Sequence, residues 1–162
     1  MWPFSKTSDP SAELPGVKLN RDGSMEFELT EEERREVDQF FIPLKQYKFH
    51  PEIADILPKA ATACALSKYA SGLIVSLTFI TSEEEYEARK PEVMATLNRA
   101  IAAGLKAVSL YELPQFAKNL ASYYEIAGRR KEMEHWQALY QKRKANWTPS
   151  QLDELLLMWL EA

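Results

Sequence analysis

The sequence predicts a mostly α-helical single domain of packed antiparallel helices with a small N-terminal β-hairpin. Three observations predict it. Apolar residues recur at helical spacing through most of the chain. Helix-start and helix-stop residues frame those stretches again and again. The 162 residues, 46% hydrophobic and 27% charged, are enough to bury one ordinary globular core.

Residues 1–16 hold three prolines, Gly16 and several serines with no hydrophobic period, which predicts a flexible arm. Met1-Trp2-Pro3-Phe4 lacks the charged and apolar regions of a secretory signal and reads as a short leader. The folded domain is then 17–162. Val17 and Leu19, then Met25, Phe27 and Leu29, alternate with polar residues around Asn20-Arg21-Asp22-Gly23. That pattern predicts a β-hairpin over 17–29. Two strands alone are marginal in water, so the hairpin must rest on helices. The same turn has the look of a calcium loop. With Gly23 in sixth place, Lys18 and Leu29 would fall where the first and twelfth ligands should be carboxylates, so it cannot hold Ca²⁺.

Thr30 and Glu33 form a capping box, and the acidic run 31–33 suits the positive end of a helix dipole. That helix runs to about Phe41, and Pro43 kinks or ends it. His50-Pro51 starts a short helix, with His50 as its cap and proline at the first helical position. Lys59 to Ala70 is helical again. Ala60 to Ile80 spans 21 residues with a single charge, Lys68. Its length suits a membrane span, but a mid-span lysine costs roughly 2.5–3.5 kcal/mol, and serines, threonines and alanines fill the segment. A buried central helix is the better reading. Residues 73–80 are rich in strand formers, and Gly72 stands before them. A long helix is preferred; the alternative is an α+β fold with strands near 73–80 and 105–111.

Ser82 and Glu85 form a second capping box. Pro91 opens a helix that Gly104 ends. Pro114 starts the next helix, Gly128 closes it, and 130–145 form another. Thr148-Pro149-Ser150-Gln151 reads as cap, proline at the first position and glutamine at the third. The last helix carries Leu152, Leu155, Leu156 and Trp159 on one stripe. Exposed, that stripe would be an unusually large apolar patch, so it closes the core or mediates assembly.

No catalytic residues are assigned, because no nucleophile-elbow, phosphate-loop or dinucleotide motif occurs and the chain has five glycines. Glu83–Glu85 and Glu31–Glu33 are helix starts and not an acid/base pair. No metal and no cofactor is expected. His50 and His135 are the only histidines, they are far apart, and Cys64 has no partner cysteine. His135 reads as a surface residue and Cys64 as a small buried hydrophobe. A single cysteine fits a reducing, cytoplasmic setting. The net charge of −4 argues against general nucleic-acid or anionic-membrane binding.

Residues 114–142 carry the one signal that points to a way of working. Ala117, Leu120, Ala121 and Tyr124 share a face, Gly128 makes the turn, and a second helix follows. Tyr124 falls on the seam, whereas Tyr123 points about 100° away from it. In these residues the segment resembles a tetratricopeptide-repeat hairpin. The second helix departs from the motif at Met133, Trp136 and Tyr140, and no second copy stands at a 34-residue offset. The resemblance implies a partner-binding face on the first helix, here Lys118, Ser122 and Glu125. Lys118 matches the kind of residue that holds a partner's carboxylate, but Ser122 stands where such a clamp has asparagine.

Charge is uneven along the chain. Residues 26–38 carry seven acidic and two basic residues, and 129–146 carry six basic and two acidic. Arg129, Arg130 and Lys131 lie about 20 Å from the Lys142–Lys144 cluster along one helix. They suit a docking face for an acidic partner, or an intramolecular match to the acidic helix. Trp136, Tyr140 and Trp147 among them keep a nucleic-acid surface as a lesser reading. The leading expectation is a non-catalytic protein–protein interaction module, adaptor or chaperone-like, that binds a protein or peptide on a helical surface. The alternatives are a structural or regulatory subunit that homo-oligomerises through the C-terminal helix, and an enzyme with a dispersed site.

Overall fold

The computed structural model describes residues 14–42 and 48–161. In chain order the elements are β1 (Val17–Leu19), β2 (Met25–Phe27), α1 (Glu31–Phe41), α2 (Pro51–Leu77), α3 (Glu83–Leu110), α4 (Pro114–Ile126), α5 (Arg130–Ala145) and α6 (Gln151–Glu161). The expected helical domain with its N-terminal hairpin is what forms. The strands pair antiparallel, Val17 opposite Phe27 and Leu19 opposite Met25. Gly23, at φ 88°, makes the turn, where Asp22 accepts hydrogen bonds from the Ser24 backbone N–H and hydroxyl.

Helices α2 and α3, of 27 and 28 residues, form the central pair. The short link between them makes them antiparallel neighbours about 40 Å long. Alanines Ala60, Ala61, Ala63, Ala65 and Ala70 on α2 and Ala100, Ala102, Ala103 and Ala107 on α3 are buried. Small side chains let the two backbones approach closely. Helices α1 and α6 pack on α2, α4 packs on α3, and α5 folds back along α4.

Residues 73–77 and 105–110 are helical, so the two-strand alternative does not form. Helix continues because α2 and α3 pair along their length, and this packing overrides the local strand preference of Leu73–Leu77. The same override corrects three boundaries. His50 does cap a helix, its Nδ1 accepting from the Glu52 N–H at 3.3 Å, but that helix runs on to Leu77 with Pro58 inside it. Pro91 starts nothing; it lies within α3, which begins after Ser82, the cap of the Glu85 N–H. Both prolines are exposed, as are Ala54 and Glu87, so the carbonyls that lose a helical N–H to proline lie where water can reach them. Gly104 is no helix end either. It lies mid-α3, where an added Cβ would stand 2.9 Å from Leu120 Cδ2.

The third capping signal shifts by two residues. Ser150, not Thr148, caps α6, with Ser150 Oγ accepting from the Asp153 N–H and Asp153 Oδ2 accepting from the Ser150 N–H, both at 3.1 Å. Asp153 is buried and also accepts from Trp147 Nε1 at 3.0 Å and from the Tyr111 hydroxyl. One carboxylate thus ties the end of α3, the α5–α6 link and the start of α6. The apolar stripe closes the core of this chain: Leu152 and Leu156 are buried, Leu155 is half-buried, and Trp159 meets Phe40 and Phe49 edge-on. Lys68 Nζ donates to the Trp159 carbonyl at 3.0 Å, capping the end of α6.

The capping box Thr30–Glu33 forms as expected, but Glu33 has a second task. It is buried, and its Oε1 accepts from Lys106 Nζ at 2.5 Å as well as from the Thr30 N–H at 2.8 Å. Lys106 is fully buried in α3 and donates also to the Pro15 carbonyl at 2.8 Å. Residues 14–16, read as the end of an arm, therefore belong to the packed body, and Leu14 is buried with them. Gly16 is at φ 71°, and a Cβ there would meet the Glu28 carbonyl at 2.3 Å and Lys106 Nζ at 2.9 Å. The remainder of the expected arm, 1–13, and Pro43 lie outside the described residues.

Candidate partner-binding face

The α4–α5 hairpin is built as the sequence implies. Gly128, at φ 71°, ends α4 in a Schellman motif: the Gly128 N–H bonds the Glu125 carbonyl at 3.0 Å and the Arg129 N–H bonds that of Tyr124 at 2.9 Å. Ala117, Leu120, Ala121 and Tyr124 are buried. Tyr123 is buried too, contrary to the single-seam reading. Helix α4 is covered on more than one side, by α3, α5 and α2, so two adjacent positions both face neighbours. The Tyr123 hydroxyl meets Ser71 Oγ at 3.1 Å.

Lys118, Ser122 and Glu125 line the exposed side of α4. Lys118 Nζ stands 5.9 Å from the centre of the Tyr140 ring on α5, and Lys144 Nζ stands 5.7 Å from the same ring. Both ammonium groups are thus held beside one aromatic face system while remaining accessible. Arg129 and Arg130 are otherwise engaged. Arg129 pairs with Glu132 and lies 6.0 Å from the Tyr124 ring centre, and Arg130 pairs with Glu134 at 2.9 Å. Arg129 is half-buried at the start of α5, whereas Arg130 keeps its side chain 86% exposed.

Helix α5 has no buried residue, alone among the six helices of the described residues. Met133, Trp136, Leu139 and Tyr140 are half-buried, and Arg130, Lys131, Lys142 and Lys144 are exposed. The acidic helix does not neutralise this face. Glu32 pairs with Arg99 at 3.0 Å and Glu33 with Lys106, both on α3. At the far end of the hairpin a cavity of about 400 Å³ opens between α4 and α5, lined by Glu112, Pro114, Leu139, Lys142, Arg143, Asn146 and Trp147. Arg143 Nη2 stands 3.6 Å from Glu112 Oε1, and Arg143 Nη1 is covered without a hydrogen-bond acceptor. The sequence singled out Arg143 only as one of a basic cluster. Its place between Pro114 and Trp147 depends on a tertiary approach that no local spacing encodes.

Two other features carry groups with potential for chemistry. A cleft of about 360 Å³ between α2, α4 and α6 is lined by Ser67, Lys68, Ser71, Gln115 and Asn119. Its polar groups are largely turned to each other and to neighbouring helices: Ser71 meets Tyr123, Gln115 bonds Asn119, and Lys68 caps α6. Cys64 is fully buried, and burial pushes its thiol up to about 12, which leaves no thiolate for nucleophilic attack at neutral pH. No group of three His, Cys, Asp or Glu side chains converges among the described residues. Helix α2 is long and apolar enough to cross a membrane by length and composition, and just over half of that stretch, 56%, is buried in the fold.

Comparison with protein-family models, with curated proteins and with solved structures gives no significant match.

Proposed function

We propose that this chain is a non-catalytic protein–protein interaction module, adaptor or chaperone-like, that takes an acidic partner segment on its α4–α5 hairpin. The observation that carries the reading is α5, a helix of 16 residues without one buried side chain and with four exposed basic ones. Met133, Trp136, Leu139 and Tyr140 hold the inner side of the helix half-buried, and its exposed basic side is left for a partner. Its charge favours a partner of opposite sign and speeds encounter with one. The tetratricopeptide-like reading belongs to the same proposal. It is supported by the small residues Ala117 and Ala121 at the hairpin seam and by the turn at Gly128. Within it, Lys118 is a carboxylate contact, and Ser122 and Glu125 flank it.

The test is site-specific photo-crosslinking. A benzophenone side chain is placed at Gln137 or Gln141, both exposed on α5, and for comparison at Glu87, exposed on α3. The α5 probes should capture a protein through acidic segments, and the α3 probe should not. Capture that is equal from both helices, or through segments without acidic residues, would refute the reading.

A further inference from the structure

We propose that the cavity between the start of α4 and the end of α5 anchors one carboxylate of an acidic protein segment, with Arg143 as the residue that reads it. The inference deepens the function proposed above and rests on it. Arg143 differs from Arg129 and Arg130 in having a covered nitrogen without an acceptor. Arg129, just before α5, and Arg130, its first residue, are paired with Glu132 and Glu134 of that helix. Arg143 has a covered Nη1 with no acceptor, and its Nη2 reaches Glu112 at 3.6 Å, beyond hydrogen-bond length. A guanidinium presents its donors as a planar fork matched to a carboxylate, and here that fork is not filled.

Glu112 shows what would fill it. It carries the right group, lies in the link between α3 and α4, and its side chain is 79% exposed. It is a loosely held internal occupant. A carboxylate arriving from solvent displaces it, and the guanidinium turns about its last side-chain bonds so that both Nη groups donate. Pro114, Leu139 and Trp147 wall the cavity with apolar surface, which weakens competition from water, and exposed Lys142 stands at its rim.

The experiment uses the full chain and a fluorescein-labelled hexaglutamate peptide, blocked at both ends, read by fluorescence anisotropy at low salt. Arg143→Gln should weaken binding about tenfold or more, while Arg130→Gln, which removes the same charge from the same helix, should change it less than about twofold. Glu112→Gln should strengthen binding by about threefold or more, because it removes the internal competitor. Equal losses for Arg143→Gln and Arg130→Gln, or no gain for Glu112→Gln, would overturn the inference. The function proposed above would survive that result, since the peptide would still bind the basic face. No binding of the peptide to the unmodified chain would overturn both. A thymidine dodecamer that binds more tightly than the peptide, with the same dependence on Arg143, would make the ligand a phosphate and overturn the carboxylate assignment. Circular dichroism checks that Arg143→Gln folds. If it does not, Glu112→Gln, on an exposed side chain, decides alone.

Discussion

The same substitution at two helical glycines should have opposite signs. Gly72 and Gly104 both lie inside helices, in α2 and α3, and neither has a positive φ. Replacing glycine by alanine in a helix interior gains about 0.5–1 kcal/mol, because the unfolded chain has less freedom to lose. At Gly72 an added Cβ meets nothing within 4 Å, so the gain is kept. At Gly104 the Cβ would stand 2.9 Å from Leu120 Cδ2, 3.2 Å from Leu120 Cγ and 3.5 Å from Tyr123 Cε2. Leu120 is fully buried, so its side chain has no open space to turn into. Overpacking a filled core costs about 1–3 kcal/mol, which offsets or exceeds the gain. The two variants should therefore differ by about 1–3 kcal/mol, with Gly72→Ala above the parent and Gly104→Ala at or below it. Urea unfolding followed by far-ultraviolet circular dichroism measures this directly. Thermal melts should separate by roughly 2–4 °C for each kcal/mol. If Gly104→Ala stabilised as much as Gly72→Ala, α3 and α4 would not approach as closely as described, and the tight seam under the hairpin would be wrong.

Four further outcomes are expected. Lys106→Met should cost about 3–5 kcal/mol in urea unfolding, because Glu33 is left buried without its charge partner, and adding Glu33→Gln to it should recover part of that loss. Stability should fall as pH rises from about 9. Burial pushes Cys64 and Tyr124 up to about 12, from 9.0 and 10.0, and raises Tyr69, Tyr111 and Tyr123 as well. Between the ordinary and raised values the native chain holds protons that the unfolded chain releases, so each pH step favours unfolding; a urea midpoint flat from pH 8 to 11 would contradict this. Leu156→Ala should cost about 2–5 kcal/mol while Met158→Ala stays within about 0.5, since Leu156 is fully buried and Met158 is 66% exposed. Deleting 149–162 should unfold or aggregate the protein, and a truncation with an unchanged melting temperature would show that α6 is dispensable to the core.

Local chemistry was legible in the sequence where one element decides its own shape. The Thr30–Glu33 box, the His50 cap, the Gly128 turn and the hairpin around Gly23 need only a few neighbouring residues, and all four stand as expected. Pro58, Pro91 and Gly104 misled because their local rule is weaker than the packing of two long helices. A missing N–H on an exposed side costs little, and a mid-helix glycine is useful where another helix comes close. Lys106 was missed for a different reason. Its partner Glu33 is 73 residues away, and Glu33 had already been explained by the cap. The one available signal was a lone lysine between Ala100 and Val108, in a run that is otherwise apolar apart from Gly104. Arg143 hid in the same manner, as one of three consecutive basic residues whose separate fates only the tertiary fold decides.

The placement of α5 connects the fold to the proposed use. The helix adds no buried side chain to the core, yet it is held at both ends. The Schellman turn at Gly128 and the Arg129–Glu132 pair fix its start. Beyond its end, Trp147 donates to Asp153, the carboxylate that also fixes α6 and the end of α3. A surface held in this way is ordered before a partner arrives, so less of the binding energy goes into ordering it. Trp147 belongs to the wall of the Arg143 cavity as well, which makes the cavity's shape depend on the same buried carboxylate. The arrangement separates two demands that usually compete. Stability rests on α2, α3 and the groups buried around them, while the outer face of α5 is left to carry charge. Residues on that face can change to suit a partner with little effect on the core, which is what a presenting surface requires.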